Sequence, residues 1–503
     1  MTLADAIDTL RALLVEPQPA GLAGAALARP LAAIAYDSRR VAPAALFVAL
    51  KGQKADGVAF AGQAIARGAQ AVVAEAAAPA GVAVPWIVVR DARLALALLA
   101  DRCFDQPSRR MPVIGVTGTN GKTTTAYLLT AMLDEAGLRA GMLGTVAYRI
   151  GGEDREASRT TPEAPDVQQL LSEMLSHGNR SAVMEVSSHA LSLKRVDGMQ
   201  FAAAVFSNLT RDHLDFHEDM EAYFAAKRRL FEMLPRDAPG VVNLDDPRGA
   251  SLVEICGRPV TYAITAPADV RPGPVAMTLT GLQCDVTTPT GTVHIRSQLV
   301  GRPNVYNILA ATATALSLGV PIDAIERGVA GLAGVPGRFE VVSAAGDDVT
   351  AVVDYAHTDD ALRNLLETAR PLGARRLVTV FGCGGDRDRS KRPLMGMVAA
   401  RLSDVVVITS DNPRSEDPKR IIEEIERGIS AGSQSRTPTV VSVVDRAGAI
   451  GRAIAMAEAG DVVLIAGKGH EKYQQIGDRV LPFDDGEVAR AALAKRRAGA
   501  KGK

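Results

Sequence analysis

Val113-Ile-Gly-Val-Thr-Gly-Thr-Asn-Gly-Lys-Thr-Thr124 decides the fold, because this run predicts a strand, a glycine-rich loop and the start of a helix. The apolar residues 113–116 are typical of a buried strand, and we expect a helix from Thr124 through Leu133. Glycines let backbone N–H groups approach a phosphate closely, and a helix N-terminus adds positive potential. The run therefore predicts a phosphate-binding loop in an α/β domain with parallel strands.

Lys122 and Thr123 give this loop its expected chemistry. Lys122 would reach the β- and γ-phosphates of a nucleotide, and the Thr123 hydroxyl would ligate Mg²⁺. The loop is a shortened G-x-x-G-K-T variant, because Val116 stands where the strict P-loop pattern has its first glycine. A glycine-rich turn that binds no phosphate is the alternative interpretation.

The overall composition narrows the class of protein without naming a function. The chain has 503 residues, with 57 Lys and Arg against 57 Asp and Glu. Zero net charge argues against a sequence-independent nucleic-acid coat or a general membrane-surface binder, which need a basic field. Aromatic residues make up only 4%, which disfavours stacking on single-stranded nucleic acid. A local basic pocket for a small anion stays possible.

The cysteines and the N-terminus favour a cytoplasmic protein. Four cysteines lie far apart with no C-x-x-C pair, which fits a reducing compartment. The N-terminus carries Asp5 and Asp8 and no basic region, so it does not resemble a signal peptide. Apolar runs end well short of the ~18 residues that a membrane span requires. We expect a monomer with no membrane span and no nucleic-acid partner.

The length predicts about three domains, and the alternation of strand-like and helical runs predicts α/β structure in each. We place the domains at 1–106, 107–335 and 336–503, with a polar boundary near Asp105 and a glycine-rich linker at 331–337. We expect the basic tail from Lys495 onward to be frayed. The strand candidates are Leu46–Leu50, Ala71–Ala74, Trp86–Val89, Val113–Val116, Ala182–Glu185, Ala202–Ser207, Gly240–Leu244, Thr350–Asp354, Arg376–Phe381, Val405–Ser410 and Val462–Ala466.

Several polar residues follow the strand candidates of the central region. Glu185, at the carboxyl end of its strand, is well placed to help hold Mg²⁺, although a surface carboxylate is an equal alternative. His213 and His217 are four apart and would share a face of a helix, as in a zinc site. No third ligand stands out, so a zinc hydrolase is a weaker alternative. Lys227 is by default a solvated helical lysine.

The ordered set of motifs resembles the Mur ligases, ATP-dependent enzymes that build the cytoplasmic peptidoglycan precursor. The resemblance implies a small N-terminal UDP-binding α/β domain, a central P-loop-type ATP-binding domain and a C-terminal Rossmann-like domain that binds the incoming amino acid. The motifs that carry it are Asp37–Arg39, Leu46–Gly52, Gly118–Thr124, Glu185–His189, Ser207–Asp215, Asn304 with Asn307, Gly337–Glu340, Asp354–Thr358, Phe381–Arg387, Asp411–Arg414 and Gly467–Glu471.

The resemblance also implies roles for individual residues. ATP contacts would come from Gly118, Thr119, Asn120, Gly121, Lys122, Thr123, Thr124, Asn304, Arg338 and Asp354. A UDP-muramoyl-dipeptide would be held by Ser38, Gln53, Lys54, Ala55, Thr160, Thr161, Ser187 and Arg195. Diaminopimelate would be held by Arg387, Asp411, Asn412, Pro413, Arg414, Gly467 and Glu471. Two Mg²⁺ ions are expected, held by Thr123, Glu185, His213 and Lys227, the last as a CO₂-derived carbamate; the catalytic set would be Lys122, Lys227, His213 and Glu185.

Arg414 indicates which amino acid the enzyme would take as its acceptor substrate. Meso-diaminopimelate carries a second amino-acid head at its far end, whereas lysine carries only an ammonium there. An arginine fork matches a carboxylate bidentately, so Arg414 favours diaminopimelate; a surface-turn arginine is the alternative. The expected reaction transfers the ATP γ-phosphoryl group to the D-glutamyl carboxylate, and the acceptor amine then attacks the acyl phosphate.

Rival hypotheses and departures from the family pattern remain. A lysine-adding, D-Ala-D-Ala-adding or folylpolyglutamate ligase is the nearest rival, and a nucleotide-binding switch that uses the same loop is a more distant one. Asp359 stands where the family often has Pro, and Arg159 and Leu193 differ from some relatives. His357 or His470 is the candidate for the group that accepts a proton from the attacking amine, and a structural hydrogen-bonding histidine is the equal alternative.

Overall fold

The chain forms three regions of α/β structure, each with its own sheet. The computed structural model describes residues 1–15, 24–52, 55–344, 346–431 and 438–501. The predicted α/β class is confirmed. No helix within these ranges is long and apolar enough to cross a membrane.

The N-terminal region is a parallel four-stranded sheet in the order β1-β2-β3-β4. Apolar side chains on both of its faces are buried, as expected for parallel strands covered by helices. Its elements are α1 (Leu3–Thr9), α2 (Gly24–Leu27), β1 (Ala33–Ala35), β2 (Ala45–Val48), α3 (Ala61–Ala66), β3 (Ala69–Ala74), β4 (Trp86–Val88) and α4 (Ala92–Cys103), with 3₁₀ turns at Ser38–Arg40 and Gly57–Phe60.

The central region follows a short helix, α5 (Pro107–Arg110), and contains an eight-stranded sheet in the order β12-β11-β10-β5-β9-β6-β7-β8. Strand β7 pairs antiparallel with both β6 and β8 at one edge, and the other neighbouring strands pair parallel. Its elements are β5 (Val113–Thr117), α6 (Lys122–Glu135), β6 (Ala140–Leu143), β7 (Ala147–Ile150), β8 (Glu153–Glu156), α7 (Ala164–Ser176), β9 (Ser181–Glu185), α8 (Ser188–Ser192), β10 (Ala203–Phe206), α9 (Met220–Glu232), β11 (Pro239–Asn243), α10 (Gly249–Val253) and β12 (Arg258–Tyr262).

A small antiparallel sheet follows, which the sequence analysis did not predict. Strand β15 pairs with β13, β14 and β16, and its alternate residues are buried in the core that α6 shares with the next two helices. The elements are β13 (Arg271–Pro272), β14 (Ala276–Thr278), β15 (Gly281–Thr288), β16 (Gly291–Ser297), α11 (Arg302–Ser317) and α12 (Ile322–Gly331).

The C-terminal region has a six-stranded sheet in the order β17-β18-β22-β19-β20-β21. Strands β18 to β22 pair parallel, whereas the short edge strand β17 pairs antiparallel with β18 and a separate hairpin joins β23 to β24. Its elements are β17 (Glu340–Val341), β18 (Thr350–Asp354), α13 (Asp359–Ala369), β19 (Leu377–Phe381), α14 (Lys391–Leu402), β20 (Val405–Ile408), α15 (Pro418–Ala431), β21 (Thr439–Ser442), α16 (Arg446–Met456), β22 (Val462–Ala466), β23 (Tyr473–Ile476), β24 (Arg479–Pro482) and α17 (Asp485–Lys501), with a 3₁₀ turn at Arg370–Leu372.

Residues 495–501 of the tail predicted to be frayed are instead part of α17, and residues 502–503 lie outside the described residues. Arg496 donates to both carboxylate oxygens of Asp348, and Arg497 pairs with Asp347. These contacts link residues about 150 positions apart in the chain, so a local pattern could not indicate them. The domain limits at residues 106 and 335 stay predictions.

The strand order of the central sheet positions its polar ends. Strand β5 lies between β10 and β9, and all three run parallel. The carboxyl ends of parallel strands meet at one edge of a sheet, where ligands of open α/β sheets bind. The glycine loop after β5, Glu185 at the end of β9 and Ser207 after β10 therefore lie side by side.

A buried ion pair anchors α17, and its loss should destabilise the C-terminal region. Arg446 and Asp485 have fully buried side chains, with two N–H···O contacts of 2.7 and 2.6 Å. Asp485→Ala would leave the guanidinium with only the more distant Asp411 carboxylate, 4.0 Å away, and removing one partner of a buried pair costs about 3–5 kcal/mol. We expect faster hydrogen exchange in α16 and α17, measured by mass spectrometry. The exposed Glu487 in the same helix provides the control Glu487→Gln; equal exchange in the two variants would contradict the anchoring role.

Candidate active site

Two positions in the loop between β5 and α6 must be glycine, because the backbone conformation and the neighbouring atoms leave no room for a Cβ atom. Gly118 has φ 146° and Gly121 has φ 87°, values that favour glycine. A Cβ atom at Gly118 would lie 1.9 Å from Ser207 Oγ, and one at Gly121 would lie 2.3 Å from Asn307 Oδ1. The helix α6 begins at Lys122, two residues before the predicted start, because Gly121 in its left-handed conformation forms the N-cap.

Two lysines converge on one carbonyl oxygen of this loop. Lys122 Nζ donates to Gly118 O at 2.9 Å and to Thr119 O at 2.8 Å, and Lys227 Nζ donates to Gly118 O at 2.7 Å. Lys227 was expected to be solvated, but it is only 1% exposed. The prediction of a solvated lysine is wrong, because Lys227 lies on the face of α9 that packs toward β5 and the loop that follows it. Its ammonium also lies 4.4 Å from the centre of the Tyr223 ring.

Burial and the neighbouring charge change the protonation of both lysines. Burial, reinforced by the nearby Lys122, lowers the pKa of Lys227 well below its usual value. Burial also lowers the pKa of Lys122, although Glu185 and Asp212 oppose that shift. The arrangement therefore favours a neutral amine at Lys227 unless an anion enters the loop.

Glu185 is fully buried beside the loop, so the surface-carboxylate alternative is wrong. The Thr123 hydroxyl donates to its Oε2 at 3.1 Å. The backbone N–H of Thr145 donates to Oε1 at 2.8 Å, and the Thr145 hydroxyl donates to Oε2 at 3.1 Å. A hydroxyl and a carboxylate at a helix N-terminus form a set of hard oxygen ligands that suits Mg²⁺.

His213 and His217 do not share a face of a helix, so the predicted zinc-type geometry is wrong. His213 has φ 54° in a turn, and its Nε2 lies 3.5 Å from Asp212 Oδ2. His217 Nε2 lies 3.0 Å from Ser188 Oγ. Burial lowers the pKa of His213 below its usual value and that of His217 to about 4, so both imidazoles are neutral near pH 7. In the described ranges no group of three or more His, Cys, Asp or Glu is arranged to hold a metal ion.

The C-terminal region contacts the glycine loop, the start of α6 and the neighbouring segment that carries Arg211. Arg338 Nη2 donates to Thr123 Oγ1 at 3.3 Å, and its guanidinium stacks 4.6 Å from the centre of the Tyr355 ring. Asn120 Nδ2 donates to Asp360 Oδ2 at 3.3 Å. Arg211 pairs with Asp359 at 3.3 Å, so the residue that departs from the family pattern lies at this junction.

The other residues expected to contact ATP lie around the loop or behind it. The Thr119 hydroxyl contacts Tyr223 Oη at 3.1 Å, and Thr124 is buried in α6. Asn304 Oδ1 accepts from Asn307 Nδ2 at 2.9 Å. Asp354 accepts from the backbone N–H groups of Phe339 and Ala356, and burial raises its pKa.

Four of the residues expected to bind the muramoyl-dipeptide lie together next to Glu185. The Thr161 hydroxyl donates to Glu185 O at 2.8 Å and accepts from Ser187 N at 3.1 Å. Arg195 Nη1 donates to Thr161 O at 3.0 Å, and the hydroxyl of Thr160 lies 3.0 Å from that of Thr145. Sequence reasoning missed Glu163, which pairs with Arg195 at 2.8 Å and is not part of any motif used there.

The expected UDP contacts are a separate group in the N-terminal region. The Ser38 hydroxyl donates to Gln63 Oε1 at 2.7 Å, and Ala55 is exposed. Gln53 and Lys54 lie outside the described residues. A cavity of about 500 Å³ lies between this region and the central one, lined by Tyr36, Asp37, Arg40, Tyr148, Ser158, Arg159, Pro162, Glu163, Asp166, Gln169 and Leu170.

A second cleft, of about 450 Å³, collects the residues expected to bind diaminopimelate. It lies between the strand ends of the C-terminal sheet and the loop that carries Arg211, Asp212 and His213. Pro413 is buried next to it. The expected residues in its wall are Arg387, Asp411, Asn412, Arg414, Gly467 and Glu471.

Arg414 is held inside this cleft by the hairpin β23–β24. Its backbone N–H donates to Gln475 O at 3.2 Å, and its carbonyl accepts from Gly477 N at 2.7 Å. The side chains of Arg414 and Arg387 donate to the backbone carbonyls of Gly385 and Asp386. Within the described ranges neither guanidinium pairs with a carboxylate, so both can take an anionic group.

The two histidines proposed as proton acceptors differ in position. His357 is in the wall of the cleft, with Nδ1 2.8 Å from Tyr355 O, and burial lowers its pKa. His470 has a buried Nδ1 with no hydrogen-bond partner among the described residues, and burial lowers its pKa to about 4. The cleft wall contains only the first of them, among the residues described.

Three family models match successive parts of the chain. "Mur ligase family, catalytic domain" matches residues 30–103, "Mur ligase middle domain" matches 116–315, and "Mur ligase, glutamate ligase domain" matches 337–469. Together they cover more than half of the sequence.

Curated relatives and solved structures match over nearly the full length. A protein of Solibacter usitatus named UDP-N-acetylmuramoyl-L-alanyl-D-glutamate–2,6-diaminopimelate ligase is 50% identical over 486 residues, 94% of this chain and 97% of its own. A protein of Geobacillus thermodenitrificans with the same name is 48% identical, over 93% and 96%. A solved structure with that name has a TM-score of 0.69 at 33% identity, covering 99% of both chains. The crystal structure of MurF from Acinetobacter baumannii shares the fold at 21% identity and a TM-score of 0.64, covering 93% and 95%.

The low pKa of His217 predicts that acid destabilises the central region. The folded chain holds His217 at a pKa of about 4, whereas the ordinary value is 6.5. Between these values the unfolded chain binds more protons, so stability falls as the pH falls, by at most about 1.4 kcal/mol per pH unit per histidine. His217→Phe keeps a ring in this position and removes the titration.

We expect the wild type to lose more thermal stability than His217→Phe between about pH 7 and about pH 5. The midpoint of thermal unfolding measures this at each pH. His177 is exposed, and His177→Phe is the control, expected to follow the wild type. Parallel pH profiles for the wild type and His217→Phe would contradict the argument.

Proposed function

The chain belongs to the Mur ligase family, and we propose that it uses ATP to add meso-2,6-diaminopimelate to the D-glutamyl residue of UDP-N-acetylmuramoyl-L-alanyl-D-glutamate. It is an ATP-dependent carbon–nitrogen ligase that acts in peptidoglycan precursor synthesis and so in cell wall biogenesis. The observation that carries the choice of acceptor is the cleft in which unpaired Arg387 and Arg414 face Glu471 and the turn at His213. We further propose that it works in the cytoplasm and as a monomer.

We assign the nucleotide to the glycine loop. The backbone N–H groups of Gly118 and Gly121 and the Lys122 ammonium would surround the β- and γ-phosphates. The N–H groups of Thr119 and Asn120 donate to Asn208 and hold the loop in shape. Lys122 now donates to two loop carbonyls, and an entering triphosphate would offer it stronger, charged acceptors. The contact between Arg338 and Thr123 supports a further role for Arg338 at the phosphate end, with Asp354 fixing the backbone behind it.

The residues around the loop fit Mg²⁺. Thr123 and Glu185 would hold one ion through hydroxyl and carboxylate oxygens, and His213 would serve a second as a neutral imidazole, together with the carbamate of Lys227. Bound Mg²⁺ neutralises charge on the phosphates while an anionic carboxylate approaches them.

Lys227 is suited to carbamylation because only an unprotonated amine adds to CO₂. Burial and the charge of Lys122 lower the pKa of Lys227 and so favour that form. In the addition the nitrogen of the neutral amine bonds to the carbon of CO₂ and releases one proton, so a neutral group becomes an anion. The product would face Lys122 as a counter-charge instead of a competitor.

The chain's own residues position the two reacting groups. Thr160, Thr161, Ser187 and Arg195 would hold the muramoyl-dipeptide next to Glu185, and Ser38, Gln53, Lys54 and Ala55 its uridine end. A glutamyl carboxylate oxygen attacks the γ-phosphorus of ATP, and ADP leaves. Lys122 and the loop N–H groups stabilise the charge that develops on the transferring group.

The acceptor then completes the amide. Its amine nitrogen attacks the acyl carbon of the acyl phosphate, the carbon–oxygen bond breaks, and phosphate leaves. His357 is the better placed of the two histidines to accept the amine proton, because it is in the cleft wall and neutral. Arg387 and Arg414 would hold the distal carboxylate of diaminopimelate, and Asp411, Asn412, Pro413, Gly467 and Glu471 would surround its distal ammonium.

Phosphate release with different acceptors tests this function. With ATP, Mg²⁺ and the UDP-muramoyl-dipeptide, we expect kcat/KM for meso-diaminopimelate to exceed that for L-lysine at least about 100-fold, because two guanidinium groups lose their anion with lysine. Arg414→Ala should raise the KM for meso-diaminopimelate about 10- to 100-fold and leave the KM for ATP within about twofold.

Arg420 is exposed on α15, and Arg420→Ala is the matched control, expected to behave as the wild type. Equal turnover of L-lysine would point to a lysine-adding ligase. ATP hydrolysis that ignores every acceptor would point to a nucleotide-binding switch.

A further inference from the structure

Lys468 lies beneath the acceptor cleft and is not among the residues assigned to ATP, Mg²⁺ or the two substrates. It follows Gly467 at the end of β22, and its side chain is 0% exposed. Its ammonium donates to Asn412 Oδ1 at 3.0 Å and to Glu471 Oε2 at 3.1 Å. A lysine is rarely buried completely without a partner of this kind.

The three side chains form a closed network. Asn412 Nδ2 also donates to Glu471 Oε2, at 2.9 Å, and Asn412 Oδ1 also accepts from Gln475 N, at 2.9 Å. Glu471 Oε2 therefore receives two donors, and Glu471 Oε1 has no hydrogen-bond partner among the described residues. The free oxygen belongs to a residue of the cleft wall.

We propose that Lys468 is a positioning residue for the acceptor, an inference that rests on the proposed function. It orients Glu471 and Asn412 so that Glu471 Oε1 accepts a hydrogen bond from the distal ammonium of diaminopimelate. It also balances the charge of Glu471, so the cleft binds the distal head as a zwitterion, with its carboxylate at Arg387 and Arg414.

The charge balance of the cleft wall explains how Lys468 would favour diaminopimelate over L-lysine. With Lys468 in place, Glu471 has a counter-charge, whereas neither guanidinium pairs with a carboxylate among the described residues, so both can take an anion. A bare ammonium, such as the end of L-lysine, would meet two cations and a carboxylate that is already balanced. Without Lys468, Glu471 would be an unbalanced carboxylate that attracts such an ammonium.

The KM values of three acceptors that differ only at the distal head distinguish this positioning role from a general loss of structure. A general loss would affect all three acceptors alike. Meso-diaminopimelate carries both distal groups, L-2-aminopimelate lacks the distal amine, and L-lysine lacks the distal carboxylate. For the wild type we expect a KM for L-2-aminopimelate at least about tenfold above that for meso-diaminopimelate, because a charged hydrogen bond to Glu471 is missing.

Lys468→Met should raise the KM for meso-diaminopimelate about tenfold or more and leave the KM for ATP and for L-2-aminopimelate within about threefold. The ratio of kcat/KM for meso-diaminopimelate over L-lysine should fall. Lys472, in the same loop, is 76% exposed and pairs with Asp484, so Lys472→Met is the matched control and should behave as the wild type.

Three results would overturn the proposal: an unchanged KM for meso-diaminopimelate in Lys468→Met, an equal rise for all acceptors and ATP, or a wild type that binds L-2-aminopimelate as well as meso-diaminopimelate. The last result needs no variant, so the proposal is testable even if Lys468→Met does not fold. If the wild type releases no phosphate with meso-diaminopimelate, the proposed function itself fails.

Discussion

Lys122 and Lys227 donate to the same carbonyl oxygen, that of Gly118, from two different helices. A fully buried ammonium at Lys227 and a half-buried one at Lys122, this close together, repel each other because little water screens them. The pair is stable when one amine is neutral or when an anion lies between them. A triphosphate, a carbamate at Lys227, or both would supply that anion. The chemistry of the central region follows from this one electrostatic requirement.

Elsewhere in the molecule, too, individual charged side chains lie at specific positions while the net charge of the chain is zero. Equal numbers of acidic and basic residues give no net field, yet unpaired guanidiniums occur where a substrate carboxylate is expected. Beneath them Lys468 balances Glu471, and Arg446 balances Asp485. The fold makes this possible because parallel strands end at one edge of each sheet and bring distant residues of the chain together.

Short-range patterns were sufficient for the fold class and for most strands. The glycine loop, the strand ending in Glu185 and the strand Val462–Ala466 are all encoded in consecutive residues, and the structure has them within a residue or two of the predicted limits. The antiparallel strands between residues 271 and 297 were missed, because only their contact with α6, α11 and α12 makes their alternating pattern significant. Burial of Lys227 was missed for the same reason: nothing in its helix indicates that Gly118 lies opposite. The turn at His213 has a positive φ, which nothing in the local sequence predicts.

The candidate site residues came from family motifs, and their detailed roles stay predictions.

The state of Lys227 tests the central claim most directly. Protein equilibrated with ¹³C-labelled bicarbonate should show one carbamate resonance by ¹³C NMR in the wild type, and Lys227→Arg should lack it. The exposed Lys419 on α15 provides the control Lys419→Arg, which should retain the resonance. A wild type without a carbamate signal, or a signal that survives in Lys227→Arg, would contradict the account that a neutral Lys227 takes up CO₂ to balance Lys122.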